Sequence, residues 1–184
     1  MPSASIFSWR EGRGWLVLAP ASSGDPDIRA LAVARASADG SLAVAVLDGD
    51  LAAGDRRLDD LEELGAPSGY LVDVLTEADD TIETRLAETS ICVLESDADT
   101  LTLRSGLMGA ALRGLETAFA NGAIVLLAGT PALLFGRLVN SGLDMPVDGF
   151  GWLFSAIVMP AVEDLSEQVR TTLQIYTELY AVGI

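Results

Sequence analysis

Ala123-Ile124-Val125-Leu126-Leu127-Ala128 runs directly into Gly129-Thr130-Pro131. This stretch decides the fold. An apolar run with no polar alternation, closed by a glycine and a proline, reads as a strand buried on both faces. A strand with one wet face would alternate instead. Pro131 suits the first turn of a helix, where a missing N–H leaves no acceptor unpaired. The pattern predicts strand, turn and helix in succession, with the helix reaching about Val139.

The same alternation extends upstream. Met108, Leu112, Leu115 and Phe119 recur at spacings of four, three and four, which places one apolar stripe on a helix stopped by Asn121-Gly122. Ile91 to Leu94 is a shorter apolar strand, and Glu95-Ser96-Asp97-Ala98-Asp99 reads as an acidic turn after it. Trp15–Ala19, Leu42–Leu47 and Tyr70–Leu75 read as three more strands. Helices are expected from Pro26 to about Ala38, from Leu51 to Leu64 with Gly65 closing it, and from Thr81 to Glu88 with Asp80 as cap. Downstream, Ser141 to Gly149 reads as a loop and Gly151 to Met159 as a strand. Leu165, Val169, Leu173, Tyr176 and Tyr180 form the stripe of a final helix, as core packing or as a homodimer face.

Continuous apolar strands that alternate with helices predict an α/β fold. The expected form is a three-layer α/β/α sandwich with a mostly parallel central sheet, as one domain over residues 1–184. In such sheets ligands sit beyond the carboxyl ends of the strands. The loops after Ala19, Leu94 and Ala128 qualify.

Composition excludes several function classes. Of 184 residues, 50% are hydrophobic and 21% charged, enough for a sizeable core and too apolar for disorder. The net charge is −16, all 11 cationic side chains are arginine, and lysine and histidine are absent. Such a surface repels phosphate backbones and anionic lipid, so neither nucleic acid nor membrane is an expected partner. Without histidine there is no Ser-His-Asp triad, no Cys-His pair and no histidine-bound zinc. Without lysine there is no Ser-Lys dyad, Schiff base or P-loop lysine. Asp, Glu, Tyr, Cys92 and the α-amine remain as acids and bases. Cys92 lies inside an apolar run and reads as a buried structural thiol. Met1–Arg13 has no apolar signal core and no apolar run is long enough to span a bilayer, so the expectation is a soluble cytoplasmic protein.

One layout carries a resemblance. A strand, a short acidic turn, a helix ending Ala120-Asn121-Gly122-Ala123, an apolar strand and then Gly129-Thr130-Pro131-Ala132-Leu133 follow in order. This order resembles the cyanophycinase and dipeptidase E family of serine peptidases, whose core architecture is that of class I glutamine amidotransferases. Leu143-Asp144-Met145-Pro146 resembles the Asp-Met-Pro of the dipeptidase branch. Gly149-Phe150-Gly151-Trp152-Leu153 resembles the Gly-Leu-Gly strand that leads to the family's histidine, and Ala181-Val182-Gly183-Ile184 its closing strand. The layout covers roughly residues 14 to 184.

The resemblance implies where the catalytic groups would stand, and this chain departs from it at each. The serine of the family's Gly-x-Ser-Ala-Gly falls on Pro131, and its last glycine on Leu133. Proline brings no nucleophile, and its fixed φ predicts a relaxed turn in place of a strained elbow. The histidine falls on Asp164, beside Glu163, and Asp144 corresponds to a third carboxylate with no histidine to orient. The Gly-Gly of the fourth-strand turn becomes Glu95-Ser96 or Ser96-Asp97, where acidic side chains oppose an oxyanion. These departures imply a pseudoenzyme with a ligand- or protein-binding role, no cofactor, and an unidentified small molecule, protein or second copy as partner. Ser96, Asp97, Gly129, Thr130 and Pro131 are the binding-pocket candidates.

Two other readings remain. A peptide- or amide-bond hydrolase would need an unrecognised nucleophile such as Thr130 or Ser96, with Asp144 or Asp164 as base; the plainer role for Thr130 is a local backbone hydrogen bond. A hard-cation module would use Asp97 and Asp99, with Glu95 beside them; the plainer role there is to cap a helix. Asp59-Asp60 and Asp79-Asp80 read as solvated pairs or caps, and Trp15 as a buried strand residue.

Overall fold

The computed structural model describes residues 7–20, 26–37, 40–140, 145–161 and 167–184. The chain forms two compact units, Gly12–Pro131 and Met1–Glu11 with Ala132–Ile184.

The first unit is built on five parallel strands: β1 Trp15–Ala19, β2 Leu42–Val46, β3 Gly69–Asp73, β4 Ile91–Ser96 and β5 Ile124–Gly129. Their spatial order is β1-β5-β4-β2-β3. The central strands β2, β4 and β5 are buried throughout, as their unbroken apolar runs require. Helices α1 Pro26–Arg35 and α2 Leu51–Glu63 connect strands that advance in one direction across the sheet. Helix α3 Asp79–Ala87 and the pair α4 Thr100–Leu107 and α5 Ala110–Asn121 connect strands that step back. Right-handed crossovers place these two sets on opposite faces. The result is the expected three-layer α/β/α arrangement. One core lies under α1 and α2, where Ala32, Val33 and Leu61 meet Val44, Val93 and Leu126. On the other face α5 crosses α3 closely at Gly114, where a Cβ would stand 2.8 Å from both the Glu83 carbonyl oxygen and Leu86 Cβ.

The second unit holds a four-stranded sheet in the order β7-β6-β8-β9, formed by β6 Gly136–Val139, β7 Val147–Asp148, β8 Leu153–Met159 and β9 Tyr180–Gly183. The β6–β7 pair is antiparallel, and the β6–β8 and β8–β9 pairs are parallel. Helix α6 Thr130–Leu134 precedes this sheet and α7 Glu167–Ile175 lies before its last strand. Phe135 and Phe150 stack edge-to-face, and Phe135 does the same with the buried Trp152. Leu173 and Tyr176 pack against Leu138, Ile157 and Leu179, which is the core-packing role for that stripe.

Several sequence expectations are corrected. The helix after Pro131 ends at Leu134, and residues toward Val139 form β6 instead. Of the stripe from Met108 to Phe119, Leu115 and Phe119 lie on the buried face of α5 with Ala111 and Ala118, but Met108 caps α4 in an extended conformation and is exposed. Tyr180 begins β9, not a helix turn, and is exposed. Asp80 lies inside α3 behind the cap residue Ala78, and its carboxylate accepts from the Thr81 amide. Trp15 is 54% exposed because β1 is an edge strand, and the Arg35 guanidinium covers its ring at 4.9 Å. Gly151–Met159 supplies β8, which pairs β6 and β9 and not the five-stranded sheet.

Candidate functional site

The carboxyl ends of β4 and β5 lie side by side, with Glu95 opposite Ala128 and Ser96 opposite Gly129. This brings together the candidates Ser96, Asp97, Gly129, Thr130 and Pro131. Asp144, Glu163 and Asp164 fall outside the described residues.

After β5 the chain turns into α6 through Gly129, whose φ is +69°. Only glycine takes that conformation without Cβ strain. The left-handed residue of the turn is therefore Gly129 and not the Pro131 position. Thr130 opens α6, and Pro131 follows in its first turn, buried, where its missing N–H costs nothing. A nucleophile elbow places its reactive side chain on just such a turn between strand and helix. Here the turn residue has no side chain and carries no strain.

On β4 the expected acidic turn is instead the last two residues of the strand. Strand alternation sends Glu95 to the same face as Ile91 and Val93, beneath α1 and α2, and Ser96 to the opposite face. Both are buried, at 8% and 2% exposure. A buried carboxylate is costly unless cations accompany it. Arg29 of α1 donates from Nη2 to Glu95 Oε2 at 2.8 Å, and Arg57 of α2 brings Nε within 3.5 Å of the same oxygen. Sequence reasoning missed this cluster. Its one signal was an acid continuing a buried apolar strand, which demands a cationic partner without naming it.

Ser96 Oγ accepts from the Ala98 amide at 3.1 Å, turning the chain toward α4. Asp99 caps α4: its Oδ1 accepts from the amides of Leu101 and Thr102. Hydrogen bonding from the Thr102 side chain, supported by those amides, holds the Asp99 carboxyl below its ordinary value. Asp97 is exposed. Among the described residues no three thiol or carboxylate groups converge as a metal-ligand set. Nor does either hydroxyl, Ser96 or Thr130, hydrogen-bond a carboxylate there. Cys92, two turns of the pleat below Ser96, is fully buried, and burial pushes its thiol up to about 12.

Two solved structures share this fold. A peptidase from an acI-B1 Actinobacterium superposes with a TM-score of 0.67 at 13% identity, over 89% of this chain and 77% of its own. A Listeria monocytogenes EGD-e protein named as a Peptidase E candidate gives 0.63 at 15% identity, over 92% and 90%. At these identities the likeness establishes the peptidase-type α/β fold alone. The sequence matches no family model and no curated protein. Among the described residues no helix is long and apolar enough to cross a membrane.

Proposed function

We propose that this chain is a degenerate relative of the cyanophycinase and dipeptidase E peptidases, kept for binding a small molecule or protein and not for hydrolysis. The observation that carries the proposal is the turn after β5. There Gly129 takes the left-handed position and Pro131 sits in the helix, so neither offers a nucleophile. The composition supports it, since no histidine or lysine exists anywhere in the chain to activate a hydroxyl. The peptidase likeness favours the competing reading, a hydrolase using Ser96 or Thr130.

Intact mass after incubation with a fluorophosphonate serine-hydrolase probe separates the two. The expected result is no adduct while a cyanophycinase control labels fully. A stoichiometric adduct mapping to Thr130 or Ser96 restores the hydrolase.

A further inference from the structure

The α1–α2 face carries a charged groove. A cavity of about 460 Å³ is lined by Arg29 of α1, by Arg56, Arg57, Asp59, Asp60 and Glu63 of α2, and by Glu95 of β4. A second, of about 320 Å³, shares Arg29, Asp60 and Glu63 with the first and reaches Pro26 and Leu64. The spacing of Arg56, Arg57, Asp60 and Glu63 sets them along one side of α2, so a single helix face supplies cations toward its start and carboxylates toward its end.

The charges at the two ends do not cancel locally. At the β4 end, Arg29 and Arg57 share one carboxylate oxygen, Glu95 Oε2. Two guanidinium ions against one carboxylate leave one positive charge there. A guanidinium has five N–H donors. Among the described residues Arg29 spends only its Nη2 in a hydrogen bond to Glu95, and Arg57 Nε only approaches the same oxygen at 3.5 Å, which leaves donors on both for another acceptor. The two side chains are only 19% and 22% exposed, so a charge meeting them is weakly screened. At the other end, Asp60 and Glu63 form no ion pair among the described residues.

We propose that this groove binds a small zwitterion of amino-acid size. Its carboxylate lies on the remaining N–H groups of Arg29 and Arg57, and its ammonium lies at Asp60 and Glu63. Glu95 acts as the positioning residue that holds both guanidinium planes. A phosphate dianion fits poorly, because Asp59, Asp60 and Glu63 line the same walls in a chain of net charge −16. A simple cation would engage Asp60 and Glu63 alone and leave the arginine donors unused. The site does not depend on whether Ser96 or Thr130 is catalytic.

Calorimetric titration of the full chain with glycine, β-alanine, γ-aminobutyrate and 5-aminopentanoate tests this, with butyrate, butylammonium and inorganic phosphate as single-sign controls. At least one amino carboxylate is expected to bind saturably, about tenfold tighter than butyrate or butylammonium. Asp60→Asn, at an exposed position, should weaken that ligand about tenfold and leave butyrate no weaker. Arg57→Gln, checked for folding by circular dichroism, should weaken both. The proposal is overturned if no amino carboxylate binds, if phosphate binds tighter than all of them, or if Asp60→Asn binds as the parent does.

Discussion

Cys92 shows what the sheet interior does to one side chain. Burial with no polar partner pushes its thiol from 9.0 up to about 12. The native protein should therefore resist an aromatic disulfide reagent at pH 8, with labelling only at the rate of unfolding. The unfolded chain loses this proton near 9.0, before the folded chain does, so the contribution to stability is whole below pH 9 and disappears as pH rises toward 12. Urea midpoints at pH 8 and pH 10.5 should fall further for the parent than for Cys92→Ala, which has no thiol to titrate. An equal fall in both would show the thiol reaching solvent. The buried thiol was legible because Cys92 sits among Ile91, Val93 and Leu94. Glu95, three residues on, was not: its charge pulled it into an apparent turn, and its partners lie 66 and 38 positions away in sequence, at Arg29 and Arg57. Local pattern carries no information about which distant cation meets an acid.

At the scale of elements, two helical glycines carry opposite expectations, Gly114 where α5 crosses α3 and Gly106 in α4. Gly114→Leu should destabilise by about 2 kcal/mol or more, since the added carbons meet the Glu83 backbone, which cannot swing away. Gly106→Ala in α4 meets nothing nearer than Leu75 Cδ2 at 3.8 Å and should gain about 0.5 kcal/mol from helix propensity. Urea midpoints followed by far-ultraviolet circular dichroism measure both, and a neutral Gly114→Leu would mean that α3 and α5 do not pack this tightly. Elements whose signal is local were readable: β1 and β5 fall within a residue of their apolar runs. The misread ones share a cause. Met108 continues a helical period that the extended backbone after Leu107 interrupts. Gly136–Val139 follows the helix formers Ala132, Leu133 and Leu134, and its strand identity comes from pairing with β7 and β8, which are remote in sequence. The turn at Gly129 was visible as a break, but which residue takes the positive φ was not.

For the molecule as a whole, charge is the strongest influence that composition alone reveals. A chain of net charge −16 repels itself when compact. Raising sodium chloride from about 10 mM to about 150 mM shortens the screening length from roughly 30 Å to roughly 8 Å. The melting temperature should rise by a few degrees over that range; a constant or falling value would show that the arginine pairs, Arg29–Glu95 and Arg85–Glu77 among them, outweigh the repulsion.

The three tryptophans are divided between the units, and this gives the chain a built-in optical label. Trp152, at 1% exposure, should emit at short wavelength, whereas Trp9 at 58% and Trp15 at 54% should emit as wet indoles. Blue-edge emission then reports on the unit containing Ala132–Ile184, and acrylamide should quench the red edge first. Far-ultraviolet ellipticity draws mostly on α1 to α5, which lie in Gly12–Pro131, with a smaller share from α7. Melting the protein while recording blue-edge emission and ellipticity weights the two units differently in one cuvette, without a dye or a mutation. Coincident curves mean that they unfold as one cooperative body, and separated curves mean that each holds itself together.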